Sequence, residues 1–158
     1  MKLIQQMVDG KRVINIDEST MGQGSYIRQS WFFKGSKNTH QVKPFGHRLS
    51  LIAAIDTDGA TYFAISQSTV DTPVFTAFLV RLAAILDAED PEWRQTSVLV
   101  IDNASYHRSD DTKRTLAALD IPAMLTGPYG YDGSPAEKLF AHLKVGDLNP
   151  DDAQSGKR

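Results

Sequence analysis

The sequence predicts an α/β protein with a mixed central sheet flanked by helices. Three observations carry this expectation. Short apolar, β-branched segments fill the first half of the chain, two of them joined by the turn signal Asp58-Gly59. From Asp71 onward the apolar period lengthens to that of a helix. An apolar strand, Ser97 to Asp102, then stands between two helical stretches, as expected of a strand buried on both faces.

Taken in order, residues 12–17 (Arg-Val-Ile-Asn-Ile-Asp) read as a first strand. Residues 26–34 alternate in part and end at the turn Lys34-Gly35-Ser36. Residues 48–56 form the next strand and residues 61–65 its hairpin partner, so the first half is an antiparallel meander of three or four strands. Asp71 or Thr72 caps a helix with Pro73 in its first turn, and Phe75, Phe78, Leu79, Leu82, Ile85 and Leu86 recur along one side. Asp90-Pro91 ends it. The strand 97–102, a helix from about Ser109 to Leu119, a short strand 121–125 and a helix from Pro135 to about Val145 follow. A loop rich in Gly and Tyr, residues 127–133, precedes the last helix. Residues 146–158 form a polar tail beyond a single domain, 1–145, whose core spans 12–145. This order is that of a ribonuclease-H-like fold, in which the first strand and the strand after the first helix lie side by side.

Composition narrows the chemistry. The chain has no cysteine, so disulfides and thiolate metal sites are excluded and any metal must take oxygen or imidazole ligands. No apolar run reaches the roughly 18 residues of a membrane span, and residues 1–10 lack the apolar core of a signal peptide. The expectation is a soluble intracellular protein, cytoplasmic, or nuclear in a eukaryotic host. The net charge of −2 does not mark a nucleic-acid binder, but its distribution does more. Between Glu18 and Asp56 there is no acidic residue, while Arg28, Lys34, Lys37, Lys43 and Arg48 are interleaved with Trp31, Phe32, Phe33 and Phe45. A one-sign segment with aromatics suits a polyanionic backbone; a solvated basic hairpin is the plainer alternative.

Three acids frame the core. Asp17 ends the first strand, Asp102 ends the strand 97–102, and Glu137 stands in the first turn of the last helix. A carboxylate at the end of a buried strand is costly unless paired, solvated or metal-bound. Phosphoryl chemistry with two metal ions needs carboxylates from different elements converging on ions about 4 Å apart. Each acid has a structural alternative. Asp17 is also an ordinary strand-end acid, and Asp102-Asn103 also suits a turn. Ser134-Pro135-Ala136-Glu137 also fits a helix capping box. Glu18 faces away from Asp17 by strand alternation and is the weaker ligand candidate. His107, five residues after Asp102, is a candidate phosphate neighbour or a structural histidine.

These residues carry a family resemblance. Ile16-Asp17-Glu18-Ser19, Arg28…Trp31…Gly35, Ala54-Ile55-Asp56…Gly59 and Phe75…Phe78-Leu79…Leu82 are similar to the catalytic domain of DDE-type transposases of the mariner-like and bacterial insertion-sequence superfamily. So are Val100-Ile101-Asp102-Asn103-Ala104…His107 and Pro128-Tyr129…Pro135-Ala136-Glu137…Phe140…Leu143-Lys144, with 34 residues between the last two acids. The resemblance implies a ribonuclease-H-like fold, Asp17, Asp102 and Glu137 as catalytic metal ligands, and two Mg²⁺ or Mn²⁺ ions. It implies DNA cleavage and strand transfer at transposon ends and target; on that reading the basic segment, with Arg28, Lys34, Lys37, Lys43 and Arg48, grips phosphates, Trp31 packs nearby and His107 is the further candidate at DNA. It also implies a homodimer. The sequence departs from the family pattern at Gly130-Tyr131-Asp132-Gly133, and residues before Val13 leave no room for the family's helix-turn-helix module, so the expectation is a catalytic core that is one product of a split reading frame with a separate helix-turn-helix recognition polypeptide, a truncated copy, or a domesticated fragment. A ribonuclease-H-like nuclease without strand transfer, or a non-catalytic DNA-binding remnant, are the competing expectations.

Overall fold

The computed structural model describes residues 10–21, 49–126 and 135–145. Among them, five strands and four helices follow in the order β1 (Arg12–Met21), β2 (Leu49–Asp56), β3 (Thr61–Ser66), α1 (Thr72–Glu89), α2 (Trp93–Thr96), β4 (Ser97–Ile101), α3 (Asp110–Ala118), β5 (Ala123–Leu125) and α4 (Pro135–Val145). The sheet order is β3-β2-β1-β4-β5. β1–β2 and β2–β3 pair antiparallel, whereas β1–β4 and β4–β5 pair parallel. The mixed sheet is therefore the one expected, with β1 and β4 adjacent. The expected strand 26–34, the loop 127–133 and the tail 146–158 lie outside the described residues.

The two faces of the sheet are covered differently. On one, Phe75, Leu79, Leu82 and Leu86 of α1 pack on Ile14, Ile16, Ile52, Leu99 and Ile101 together with Trp93 and Ile121. Phe75 and Leu79 are fully buried; truncating a phenylalanine in such a place costs about 3–5 kcal/mol. On the other face, Ala136 and Phe140 of α4 pack on Met21, Leu51 and Ala53. Asp71 caps α1 as expected, its carboxylate accepting from the Val74 N–H at 3.1 Å. Ser109 caps α3 by accepting from the Thr112 N–H.

Two elements differ from expectation. β1 runs four residues past Asp17, because Glu18 to Met21 find ladder partners in Ile52 to Leu49. A one-turn helix, α2, follows Asp90-Pro91 and buries Trp93 completely, with its indole N–H donating to Asp87 Oδ1 at 2.7 Å. Among the described residues no helix is long and apolar enough to cross a membrane.

Candidate active site

Register fixes the first two acids. Ile16 of β1 pairs with Ile101 of β4, so Asp17 and Asp102 each follow one step on along neighbouring parallel strands. Asp17 pairs with Ala53 of β2 and shares its face of the sheet. Ala53 packs with Ala136 of α4, and Glu137 is the next residue of that helix, exposed in its first turn. Burial pushes the Asp17 carboxyl up to about 6. The Glu18 N–H, donating to Oδ1 at 2.8 Å, opposes the shift, and the negative charges of Glu18, Asp102 and Glu137 add to it. Asp102 and Glu137 thus both lie within electrostatic reach of Asp17.

The other side of Asp102 is built by the loop between β4 and α3. Asp102 Oδ1 accepts from the Ala104 N–H at 2.9 Å and meets His107 Nδ1 at 2.6 Å. His107 Nε2 meets Glu18 Oε1 at 3.0 Å, and the Tyr106 hydroxyl donates to Glu18 Oε2 at 3.1 Å. The imidazole is packed between Phe75 and Tyr106, with ring centroids 4.1 and 4.3 Å away. Thr112, itself buried, holds the loop by donating its hydroxyl to the Tyr106 carbonyl at 2.7 Å. Two carboxylate acceptors on one ring are both satisfied when both ring nitrogens carry protons. Burial by itself lowers the His107 pKa, but the hydrogen bond and charge of Glu18, followed by Asp102, outweigh it and raise it above 6.5. Burial also raises the Tyr106 pKa, reinforced by the Glu18 charge.

The residue match is equally informative. The sequence fits the DDE superfamily endonuclease family over residues 12–153. The chain belongs to that superfamily. No curated protein sequence matches it, but solved structures do. A pre-cleavage Mos1 transpososome shares 20% identity at a TM-score of 0.67, covering 91% of this chain and 45% of that one. The Mos1 mariner paired-end complex with Mn shares 22% at 0.65, covering 90% and 45%. The catalytic domain of Mos1 mariner transposase shares 21% at 0.64, covering 92% and 66%. At these identities the likeness is one of fold, and it is ribonuclease-H-like. The chain spans less than half the length of the Mos1 chains in the two DNA complexes.

Within this DDE-superfamily fold the expected site residues separate into groups. Asp17 and Asp102 stand one step past paired residues of neighbouring strands, and Glu137 follows Ala136, which packs against Ala53 beside Asp17. Arg28, Trp31, Lys34, Lys37, Lys43 and Arg48, and the cap residue Ser134, lie outside the described residues. His107, read as a phosphate neighbour or a structural histidine, is 1% exposed with both ring nitrogens engaged by carboxylates, its loop folding it under Tyr106 onto Phe75. Glu18 does face away from Asp17, as alternation requires, but it is no bystander: it joins β1 to the Asp102 loop. Glu18 beside Asp17 and Tyr106-His107 just after Asp102 were the available sequence signal; sequence separations of 88 and 89 concealed it.

The donor set suits a hard divalent cation. It consists of carboxylate oxygens, and among the described residues no Lys or Arg forms an ion pair with Asp17, Glu18, Asp102 or Glu137. Among the described residues no three acidic or histidine side chains are grouped so that they could hold one ion.

Proposed function

We propose that this chain cleaves DNA phosphodiester bonds and transfers the freed 3′-hydroxyl end to a second DNA, with Asp17, Asp102 and Glu137 as ligands of Mg²⁺ or Mn²⁺. The observation that carries the reading is the β1–β4 register, in which Asp17 and Asp102 each stand one step past the paired Ile16 and Ile101, in a chain of the DDE superfamily. Two bound ions would supply Lewis acidity at the attacking and leaving oxygens of the phosphodiester.

The chain's own residues contribute three things. Asp17 carries a carboxylate whose proton affinity is raised by burial and neighbouring charge, so cation binding relieves repulsion already present in the site. His107 and the Ala104 N–H hold Oδ1 of Asp102 and thereby orient the group. Arg28, Trp31, Lys34, Lys37, Lys43 and Arg48 supply positive charge and an aromatic ring for the DNA backbone. The partners in this reading are transposon ends and target DNA. Support comes from Mos1 transposase, solved with a left transposon end and as a strand transfer complex. A homodimer completes the reading, which places the protein with its DNA, in the cytoplasm or in a eukaryotic nucleus.

The test is DNA nicking titrated against Mg²⁺ or Mn²⁺, comparing the parent with Asp102→Asn. Metal-dependent nicking that disappears in the variant is the expected result. Equal nicking by both proteins would remove the three acids from the reaction.

A further inference from the structure

We infer that Glu18, acting through His107, is a positioning residue for the Asp102 metal ligand. The inference rests on the proposed metal-dependent activity and assigns to Glu18 a role distinct from ligation. Four contacts carry it. Glu18 Oε1 meets His107 Nε2 at 3.0 Å, and Oε2 accepts from the Tyr106 hydroxyl at 3.1 Å. His107 Nδ1 meets Asp102 Oδ1 at 2.6 Å, and the same oxygen accepts from Ala104 N–H at 2.9 Å. One oxygen of Asp102 is therefore fixed twice, and the carboxylate plane is set by a ring that Phe75 and Tyr106 prevent from turning.

The arrangement is expensive for a purely structural device. The Glu18 side chain is 10% exposed and that of His107 fully buried. Apolar side chains of similar volume would fill this space without the desolvation cost of a buried ionic bridge. What the bridge supplies, and apolar packing does not, is orientation: hydrogen-bonded partners behind a metal ligand fix its geometry, and removing them typically costs 10–100-fold in metal affinity. The strand makes the arrangement economical. Asp17 and Glu18 are consecutive in β1 and point to opposite faces, so one rigid segment carries a ligand on one face and the anchor of the second ligand on the other.

The experiment measures Mn²⁺ binding to the full chain by calorimetry, with thermal melting alongside, in the parent, Glu18→Met, Glu18→Gln, His107→Phe and Asp102→Asn. Glu18→Met has similar length but accepts no hydrogen bond, and is expected to weaken Mn²⁺ binding about 10–100-fold. Glu18→Gln keeps an acceptor for His107 and is expected to remain within about threefold of the parent. This rescue by the amide separates orientation from packing. Parental affinity in folded Glu18→Met, or equal losses in both Glu18 variants, overturns the inference. If Glu18→Met does not fold, His107→Phe decides: a 10–100-fold loss supports the relay and parental affinity overturns it. Asp102→Asn separates the two levels. Parental Mn²⁺ affinity in that variant removes the metal site itself, whereas loss there with none in Glu18→Met removes only the positioning role.

Discussion

Asp56 and Asp17 are carboxylates on neighbouring strands of one sheet, and their surroundings are opposite. Asp56 stands where β2 ends, opposite the start of β1. Its Oδ2 accepts from Arg12 Nε at 2.6 Å and is also ion-paired to Nη2, while Oδ1 accepts from the Asp58 N–H at 2.9 Å and the Ala60 N–H at 2.7 Å. Arg12 continues to the Tyr62 hydroxyl, which donates to Glu89. Every negative charge there has a donor or a cation. Asp17 has one backbone N–H and three carboxylates for neighbours, and its pKa rises to about 6. On the proposed function, an acid that fastens a turn is thus distinguished from one that would take a cation by its counter-charge rather than by its burial.

Substitutions at the two sites should separate activity from stability. The largest effect belongs to the uncompensated cluster: Asp102→Asn should reduce metal-dependent DNA nicking about 10³-fold, the equivalent of several kcal/mol of lost charge stabilisation. Its unfolding midpoint in denaturant should change little by comparison. Asp56→Ala should do the reverse. Leaving Arg12 and two turn N–H groups without their acceptor should cost about 2–3 kcal/mol in urea unfolding, while Mn²⁺ affinity of the folded protein stays at the parental value.

A smaller effect carries the opposite sign. The folded-state pKa of Asp17 lies above the ordinary 3.8, so the folded protein holds that proton more tightly than the unfolded chain. Metal-free stability should therefore fall as pH rises from about 4 to about 6 and remain lower above that. Asp17→Asn should be more stable than the parent at pH 7 by about 1 kcal/mol, a value discounted for the half-exposure of the group, with the difference vanishing below about pH 4. Thermal melting across this range, without divalent metal, measures it. Saturating Mn²⁺ should narrow the gap by stabilising only the parent. Smallest is the exposed Lys113–Asp110 pair, 3.3 Å apart: Lys113→Ala should alter stability by less than about 0.5 kcal/mol, which calibrates what a solvated ion pair contributes here.

Much of the fold was legible because it is written in period and punctuation. The apolar spacing from Phe75 to Leu86, the Asp71 cap and the Asp58-Gly59 turn are local signals, and all mark real boundaries. The extension of β1 through Glu18-Ser19-Thr20 was not legible, since those residues lack an apolar alternation and become a strand through partners in β2. Nor was α2, whose four residues are too few for a periodic pattern and are held by the burial of Trp93. At the site, Asp17 and Asp102 could be paired once the strand order was in hand. The side of the loop on which His107 falls could not be read, because spacing along a chain specifies distance and not direction. Glu18 was correctly assigned to the far face, but its role depends on Tyr106 and His107, which arrive there only with the closed fold.

The parallel pairing of β1 with β4 has a consequence in time as well as in space. Asp102 lies 85 positions after Asp17, and the strands that carry them are joined through β2, β3 and α1. Such non-local pairings tend to form late, after the local hairpin and helix have reduced the entropy of closing the intervening chain. During synthesis the antiparallel half emerges first and has Asp17 but no second ligand. On the proposed function, the site is therefore incomplete in the nascent chain until β4 docks, and the onset of metal-dependent activity would report completion of the sheet.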